Sequence, residues 1–482
     1  MKILLILWAG WSATSINSTT TTYPNTTNKQ LDDEPHSQND SQTILTPTTT
    51  TLSNGYKLPL VGIGVGNLQH ELIVSQISRG ISILNTTLID TAQASNNEDL
   101  ISLGIREGVQ ELRQLTNDDA TDGDGNGRDS SRKRKNIRSR RRMSSKSAEN
   151  EDKITIDIVT KVWYTHLGYE RTMRVVRDTI TNLTNQLHSK TKEPLWYVDI
   201  NLHVLIHWPR CRDDIAWMRC EEEEEELPEE IRQLGPPPHL HPKTAFIQSW
   251  IALQDLYEIY HPTTNNGSIN IASIGVSNFN IQDLQQLQTL KTSSIPITPH
   301  ILQGNIWSYL FDPALISYCL THSIQFQAYN VLNGIYTSHN IERAPRSAAM
   351  LHSIAAELAA HVTSTQVLLK YLMMKGISMI PRTTSSFHLS QNSLGSIADI
   401  PMLTPVQQGK VLKAIRGLME GRDPDETPPN AARFVNGMVE EVMHLFWLDG
   451  KTGEETRIAD VAAGEEVMQS SWPGHVFVVY SG

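Results

Sequence analysis

The sequence predicts an α/β protein built on a parallel sheet, with polar insertions and a small all-β segment at its C-terminus. Three observations carry this. Apolar runs of seven to nine residues, Ile154–Val162, Leu202–Trp208, Ile269–Val276 and Ile324–Val331, are rich in Ile and Val and are followed by helical-looking stretches. Strands buried on both faces read this way, and their alternation with helices implies a parallel sheet, either doubly wound or closed as a barrel. Apolar residues make up only 39% of the 482, so polar segments must dilute the core. After a Pro-rich stretch, 421–430, the pattern changes to short strands with Gly-containing turns.

Taken in chain order, the first element is MKILLILWAGWSATS, a lysine, an apolar run and then small residues. That is the layout of a secretory signal peptide over 1–15, and it is too short for a stable membrane span. A Ser/Thr-rich leader follows over 16–51, with Asn-x-Ser/Thr triplets at Asn17, Asn25 and Asn39. It cannot bury enough apolar surface to fold alone. These features point to the secretory pathway, with the cytoplasm as the alternative, and to no transmembrane anchor.

The main region, 52–420, carries two charged segments that read as disordered inserts, about 117–152 and 211–242. Arg128 to Lys146 holds ten basic residues against one acidic, and Glu221 to Glu230 holds eight glutamates and no base. The net charge of -11 argues against nucleic-acid binding by the chain as a whole. Three cysteines, Cys211, Cys220 and Cys319, cannot form a four-thiolate metal site. No metal site is expected, and Cys211 with Cys220 is the only close pair.

The first glycine-rich turn, Gly62-Ile63-Gly64-Val65-Gly66, lacks the third glycine of a dinucleotide fingerprint, which weakens the doubly wound option. In a barrel, reactive residues sit at the C-terminal ends of strands. Those ends supply Asp90, Lys161, His207, Ser277-Asn278, Gln303, Tyr329 and Arg382. An acid, a lysine and a histidine at three strand ends suggest a polar pocket in which a proton donor is tuned.

From Leu52 to Met419 the chain resembles the aldo-keto reductase superfamily. LSNGYKLPLVGIGVG, IDTAQASNNE, TKVW, LIHWP, IGVSNF and IPRTTSSFHLSQN occur in the family's order. The resemblance implies a (β/α)8 barrel that binds NADP(H) and reduces a small carbonyl substrate. It makes Asp90, Lys161 and His207 catalytic. It assigns Ser277, Asn278, Gln303 and Tyr329 to the nicotinamide side of the cofactor, and Gly64 and Val65 to cofactor binding. Arg382 and Thr383 would meet the 2'-phosphate, His388 stands where the family has an arginine, and Asn392 matches the adenine contact.

Ser95 is the main departure, because the family has there the tyrosine that protonates the carbonyl oxygen. Proton delivery would then be impaired or altered, with Tyr164 as a candidate stand-in. His207 follows Asp199 by eight positions where the family has five, so a bulge or extra residues are expected ahead of it. Because the glutamate run follows the histidine strand, it should emerge on the pocket side.

The segment 431–482 resembles the von Hippel-Lindau β-domain through Phe434, Asn436, Trp447-Leu448, Gly464 and Ser471-Trp472-Pro473-Gly474-His475. That resemblance implies a peptide or protein partner, with Trp447, Ser471 and His475 matching the hydroxyproline pocket. Ile458 and Phe477 depart from it. An alternative to an active enzyme is therefore a catalytically inactive, cofactor-binding protein that works through protein contacts.

Overall fold

The computed structural model describes residues 2–6, 47–121, 153–187, 195, 197–212, 215–265, 267–290, 297–421, 430–436, 442–448, 455–471 and 476–481. The basic run and most of the Ser/Thr leader lie outside these residues. The chain divides into two units, one from Ile44 to Pro424 and the other from Met1–Thr43 together with Asp425–Gly482. The boundary falls inside the Pro-rich stretch.

In chain order the strands are β1 (Lys2–Ile6), β2 (Thr49–Thr51), β3 (Lys57–Pro59), β4 (Ile63–Gly64), β5 (Leu88–Asp90), β6 (Ile154–Val162), β7 (Val198–Ile206), β8 (Ile269–Ser277), β9 (Ile301–Asn305), β10 (Gln325–Tyr329) and β11 (Ser378–Met379). They are followed by β12 (Asn430–Val435), β13 (Met443–Leu448), β14 (Glu455–Val461), β15 (Glu466–Ser471) and β16 (Val476–Ser481).

The large unit is a curled, eight-stranded parallel sheet in the order β4 through β11. Its two edges are joined by a bridge from Val61 to Met379, with Gly62 donating to the Met379 carbonyl and Met379 to the Leu60 carbonyl. β6, β7 and β8 are buried almost throughout, which is why they are rich in Ile, Val and Leu. Helices such as Tyr169–Leu187 and Ala245–Ile259 pack their apolar faces on the outside of the sheet. Inside it, Leu52 and Leu58 of the β2–β3 segment cluster with Leu88, Val159, Leu205 and Ile301.

Helix ends are set locally. Asn280 and Asp283, Thr363 and Gln366, and Thr404 and Gln407 form capping boxes, and the helix Pro405–Glu420 stops at Gly421 with φ of 64°.

The histidine strand differs from expectation. β7 pairs with β6 from Ile154↔Val198 to Val162↔Ile206 without a shift, so no bulge lies in β7 on that side. The irregularity is in its pairing with β8, where Leu202↔Ile271 is followed by His203↔Ser273 and Ala272 is the extra residue. The long Asp199–His207 spacing is therefore a nine-residue strand.

The segment 211–242 is also corrected, because it is folded. It forms short helices at Cys220–Glu225 and Glu229–Arg232 and a 3-10 turn at Pro238–Leu240. A Cys211–Cys220 disulfide and the buried Arg171–Glu224 pair, bidentate at 2.8 Å, hold it.

The second unit is all-β, as its turn-rich sequence predicts. One sheet has the order β1-β16-β13-β14, and β12 pairs with β15. Phe434, Met443, Leu445 and Val461 form its core, and Asn436 ties a turn by donating to the Val461 carbonyl at 2.7 Å. Residues 2–6, expected to belong to a cleaved leader, pair antiparallel with β16. Cleavage after Ser15 would remove that edge strand. Of the residues matched to a peptide pocket, His475 lies outside the described residues.

Candidate active site

Parallel strands end on one edge of the sheet, and the chemistry-bearing residues collect there. Asp90 ends β5, Lys161 is the penultimate residue of β6, and His207 follows β7 directly. Lys161 Nζ donates to Asp90 Oδ1 at 2.7 Å and to the Thr91 carbonyl at 2.6 Å. Gln303 Nε2 donates to the same Asp90 oxygen at 2.7 Å and to Gln327 Oε1 at 2.8 Å. Burial pushes the Asp90 carboxyl above its usual range, and the Lys161 ammonium opposes that push.

His207 is held through its backbone. Its N–H donates to the Val162 carbonyl, and its carbonyl accepts from Asn278 Nδ2 at 3.0 Å. Its ring meets Trp163 edge-on at 4.9 Å, and Nδ1 has no partner among the described residues. Burial, and then the nearby Lys161 charge, hold its pKa well below the usual histidine value. At neutral pH it is therefore an uncharged imidazole, able to donate or accept a hydrogen bond.

Ser95 closes the 3-10 turn Gln93–Ser95 after β5 and is half-buried. A Cβ placed on Gly66 would stand 3.5 Å from Ser95 Oγ. The turn is fastened on both sides: Gln93 Oε1 accepts from the Trp163 amide, and Thr91 Oγ1 donates to Asn97 Oδ1 at 2.7 Å. Tyr164, the candidate stand-in, points its hydroxyl at Glu223. It is buried, its hydroxyl donates to Glu223 Oε1 at 2.5 Å, and burial and then Glu223 raise its pKa.

The residues expected to hold a cofactor fall into two groups. Ser277, Asn278 and Tyr329 are linked, with Asn278 Nδ2 on Ser277 Oγ at 3.1 Å and the Tyr329 hydroxyl on Asn278 Oδ1 at 2.9 Å. Asn278 has φ of 60°, a conformation asparagine tolerates. Beside Asn278 lies a cavity of about 280 Å³, bordered by Trp208, Asn305 and Phe326.

The second group follows β11. Arg382 and His388 are exposed, Thr383 and Asn392 lie deeper, and Arg382 Nη1 donates to the Gly66 carbonyl at 2.9 Å. Gly64 and Val65 run past this group, Gly64 donating to the Pro381 carbonyl and Val65 to that of Asp90. A Cβ on Gly64 would come within 3.0 Å of the Ile380 carbonyl, so glycine keeps the strand and the loop close.

The sequence reading missed three parts of this edge. Glu223 accepts from both Trp163 Nε1, at 2.7 Å, and Tyr164. Trp217 stacks on Trp163 at 6.1 Å and meets Trp208 edge-on at 5.6 Å. Deeper in the sheet, the buried side chains of Ser273, His203 and Asp157 and the half-buried Tyr56 form a hydrogen-bonded line. His203 and Ser273 are fully buried, and the line ties β6, β7 and β8 to the residues before β3. The Cys pair ahead of the run was the available signal for the first two parts, since its closure encloses Trp217 and anchors the start of the helix that carries Glu223.

A curled parallel sheet with a buried lysine–aspartate pair and a neutral histidine at its strand ends defines a class of α/β enzyme-like domain. The chain belongs to the aldo/keto reductase family, whose family model matches residues 142–397. It is 24% identical over 377 residues to the uncharacterized oxidoreductase YtbE of Bacillus subtilis, covering 78% of this chain and 95% of that one. It is 24% identical over 358 residues to the NAD(P)H-dependent D-xylose reductase of Kluyveromyces lactis, covering 71% and 86%. An aldo/keto reductase structure from Brucella melitensis aligns with a TM-score of 0.48 at 21% identity, over 77% of this chain and 100% of that one.

Among the described residues, no helix is long and apolar enough to cross a membrane, and no group of three His, Cys, Asp or Glu could hold a metal ion.

Proposed function

We propose that the chain is an NADP(H)-dependent oxidoreductase that reduces an aldehyde or ketone to an alcohol, with proton delivery altered at Ser95. The carrying observation is geometric: the buried Lys161–Asp90 ion pair at 2.7 Å and the buried His207 ring stand together at adjacent strand ends. The donor set suits NADP(H). Arg382 offers a planar guanidinium to a phosphate, Thr383 a hydroxyl, and Ser277, Asn278 and Gln303 hydroxyl and amide groups to a carboxamide. His207 Nδ1, buried without a partner, supports a ligand at the same edge.

When bound, NADPH supplies the hydride. Neutral His207 orients the carbonyl by a hydrogen bond, and Lys161 stabilises the negative charge that grows on its oxygen. A neutral imidazole is a poor acid, and Tyr164 is committed to Glu223. The proton therefore arrives through water held beside Ser95. A positioned general acid contributes about 10²–10⁴-fold, so its absence costs roughly 3–5 kcal/mol of barrier lowering.

The second reading, a cofactor-binding protein without turnover, is favoured by Ser95 itself. On that reading the all-β unit would supply a peptide or protein contact, as its resemblance implies.

NADPH binding by fluorescence and turnover on a carbonyl panel, in wild type and Ser95→Tyr, separate the two. Binding with slow turnover in wild type supports the first. Binding with none, rescued by tyrosine, supports the second, and no binding overturns both.

A further inference from the structure

Glu223 differs from the other glutamates of its run. Glu221, Glu222, Glu225 and Glu226 are exposed, and Glu224 is spent on Arg171. Glu223 is half-buried, and its two carboxylate oxygens accept from an indole N–H and a phenol O–H, neither of which carries charge. The nearby Arg219 bonds Glu222 at 3.0 Å and lies 3.9 Å from Glu226. No cation is paired with Glu223 among the described residues.

The carboxylate meets the N–H edge of the Trp163 indole, and that ring leads to the neighbouring tryptophans. Trp163 stacks on Trp217, which is 53% exposed despite its size, and Trp217 in turn meets Trp208. The same Trp163 ring lies against His207. An exposed tryptophan face, joined through Trp163 to a carboxylate that has no ion-pair partner among the described residues, attracts a cation through both the ring quadrupole and the charge, and quaternary ammonium groups suit such sites. An anionic group would be repelled there. The disulfide fastens this corner, since Cys220 opens the helix that carries Glu223.

We infer that Glu223, Trp163 and Trp217 form a recognition site for an ammonium group on the carbonyl substrate. This rests on the reductase reading and names its substrate class as ammonium-bearing aldehydes.

Three aldehydes of similar size test it: 4-(trimethylammonio)butanal, its neutral carbon isostere 5,5-dimethylhexanal, and anionic succinic semialdehyde. Wild type should favour the cationic aldehyde over the isostere by about tenfold in kcat/KM, with the anionic one poorest. Glu223→Gln and Trp217→Leu should each erase most of that preference, and Glu222→Gln should keep it.

Tetramethylammonium quenching of tryptophan fluorescence reads the site without turnover. Quenching lost in Glu223→Gln and Trp217→Leu supports the site even if no aldehyde is reduced, which would count against the reductase reading alone. Equal turnover of all three aldehydes, or quenching unchanged in both variants, overturns the inference.

Discussion

The Tyr164 hydroxyl donates to Glu223 at 2.5 Å, across 59 positions of sequence. The nearest phenol to Lys161 in sequence is thereby committed to a loop that the composition alone would leave in solvent. Tyr164→Phe should consequently leave kcat within about twofold. A hydrogen bond to a charged group contributes about 1.5–3 kcal/mol, so the same variant should unfold at lower urea. A loss of turnover with stability intact would make Tyr164 the proton donor and refute the pairing.

Ser95→Tyr should raise kcat by about 10²-fold or more while leaving KM for NADPH nearly unchanged, because a phenol supplies the missing acid. Ser95→Ala should lower kcat much less than Lys161→Met does. Steady-state kinetics at saturating NADPH decide this, and equal losses in the two variants would contradict it.

Acid should weaken the fold from about pH 6.5 downward. Burial lowers His207 well below its usual value and brings His166 and His300 each to about 4. The unfolded chain takes up protons on these residues first, so their contribution is complete above pH 6.5 and is lost as pH falls toward 4. For His166 and His300 the loss is of order 3 kcal/mol each. The raised Asp90 carboxyl acts in the opposite sense, favouring the folded state in acid. Urea titrations between pH 7.5 and 4.5 should show a falling midpoint, and a flat profile would contradict the burial of these rings.

The glutamate run offers a comparison between neighbours. Glu224→Gln leaves the buried Arg171 guanidinium without its charged partner, and breaking such a pair costs about 3–5 kcal/mol. Glu222→Gln removes an exposed ion pair contributing roughly 0–1 kcal/mol. Equal effects in thermal unfolding would mean that the run is solvated throughout.

That run shows where sequence reasoning reaches its limit. The long strands β6 and β8 were legible because burial on both faces enriches them in Ile and Val, and the strand-end residues because parallel order brings them to one edge. β4, β5 and β11, two or three residues each, carry no periodicity and were visible only through motif order. The fold of 211–242 was hidden because eight glutamates read as solvent-facing when only two of them turn inward. The partners that order them, Arg171 and Trp163, lie far back in the sequence. Asp199 misled in the same way, since its spacing to His207 reflects strand length, which pairing sets and local sequence does not.

The antiparallel pairing of Lys2–Ile6 with Val476–Ser481 has a consequence for biosynthesis. At roughly 5–20 residues per second, the first strand of this sheet would wait about 20–100 s on the ribosome for its partner. The whole of 44–424 is made in that interval and can fold first. The apolar first strand of the β unit must therefore be kept from other partners until Val476–Ser481 is made.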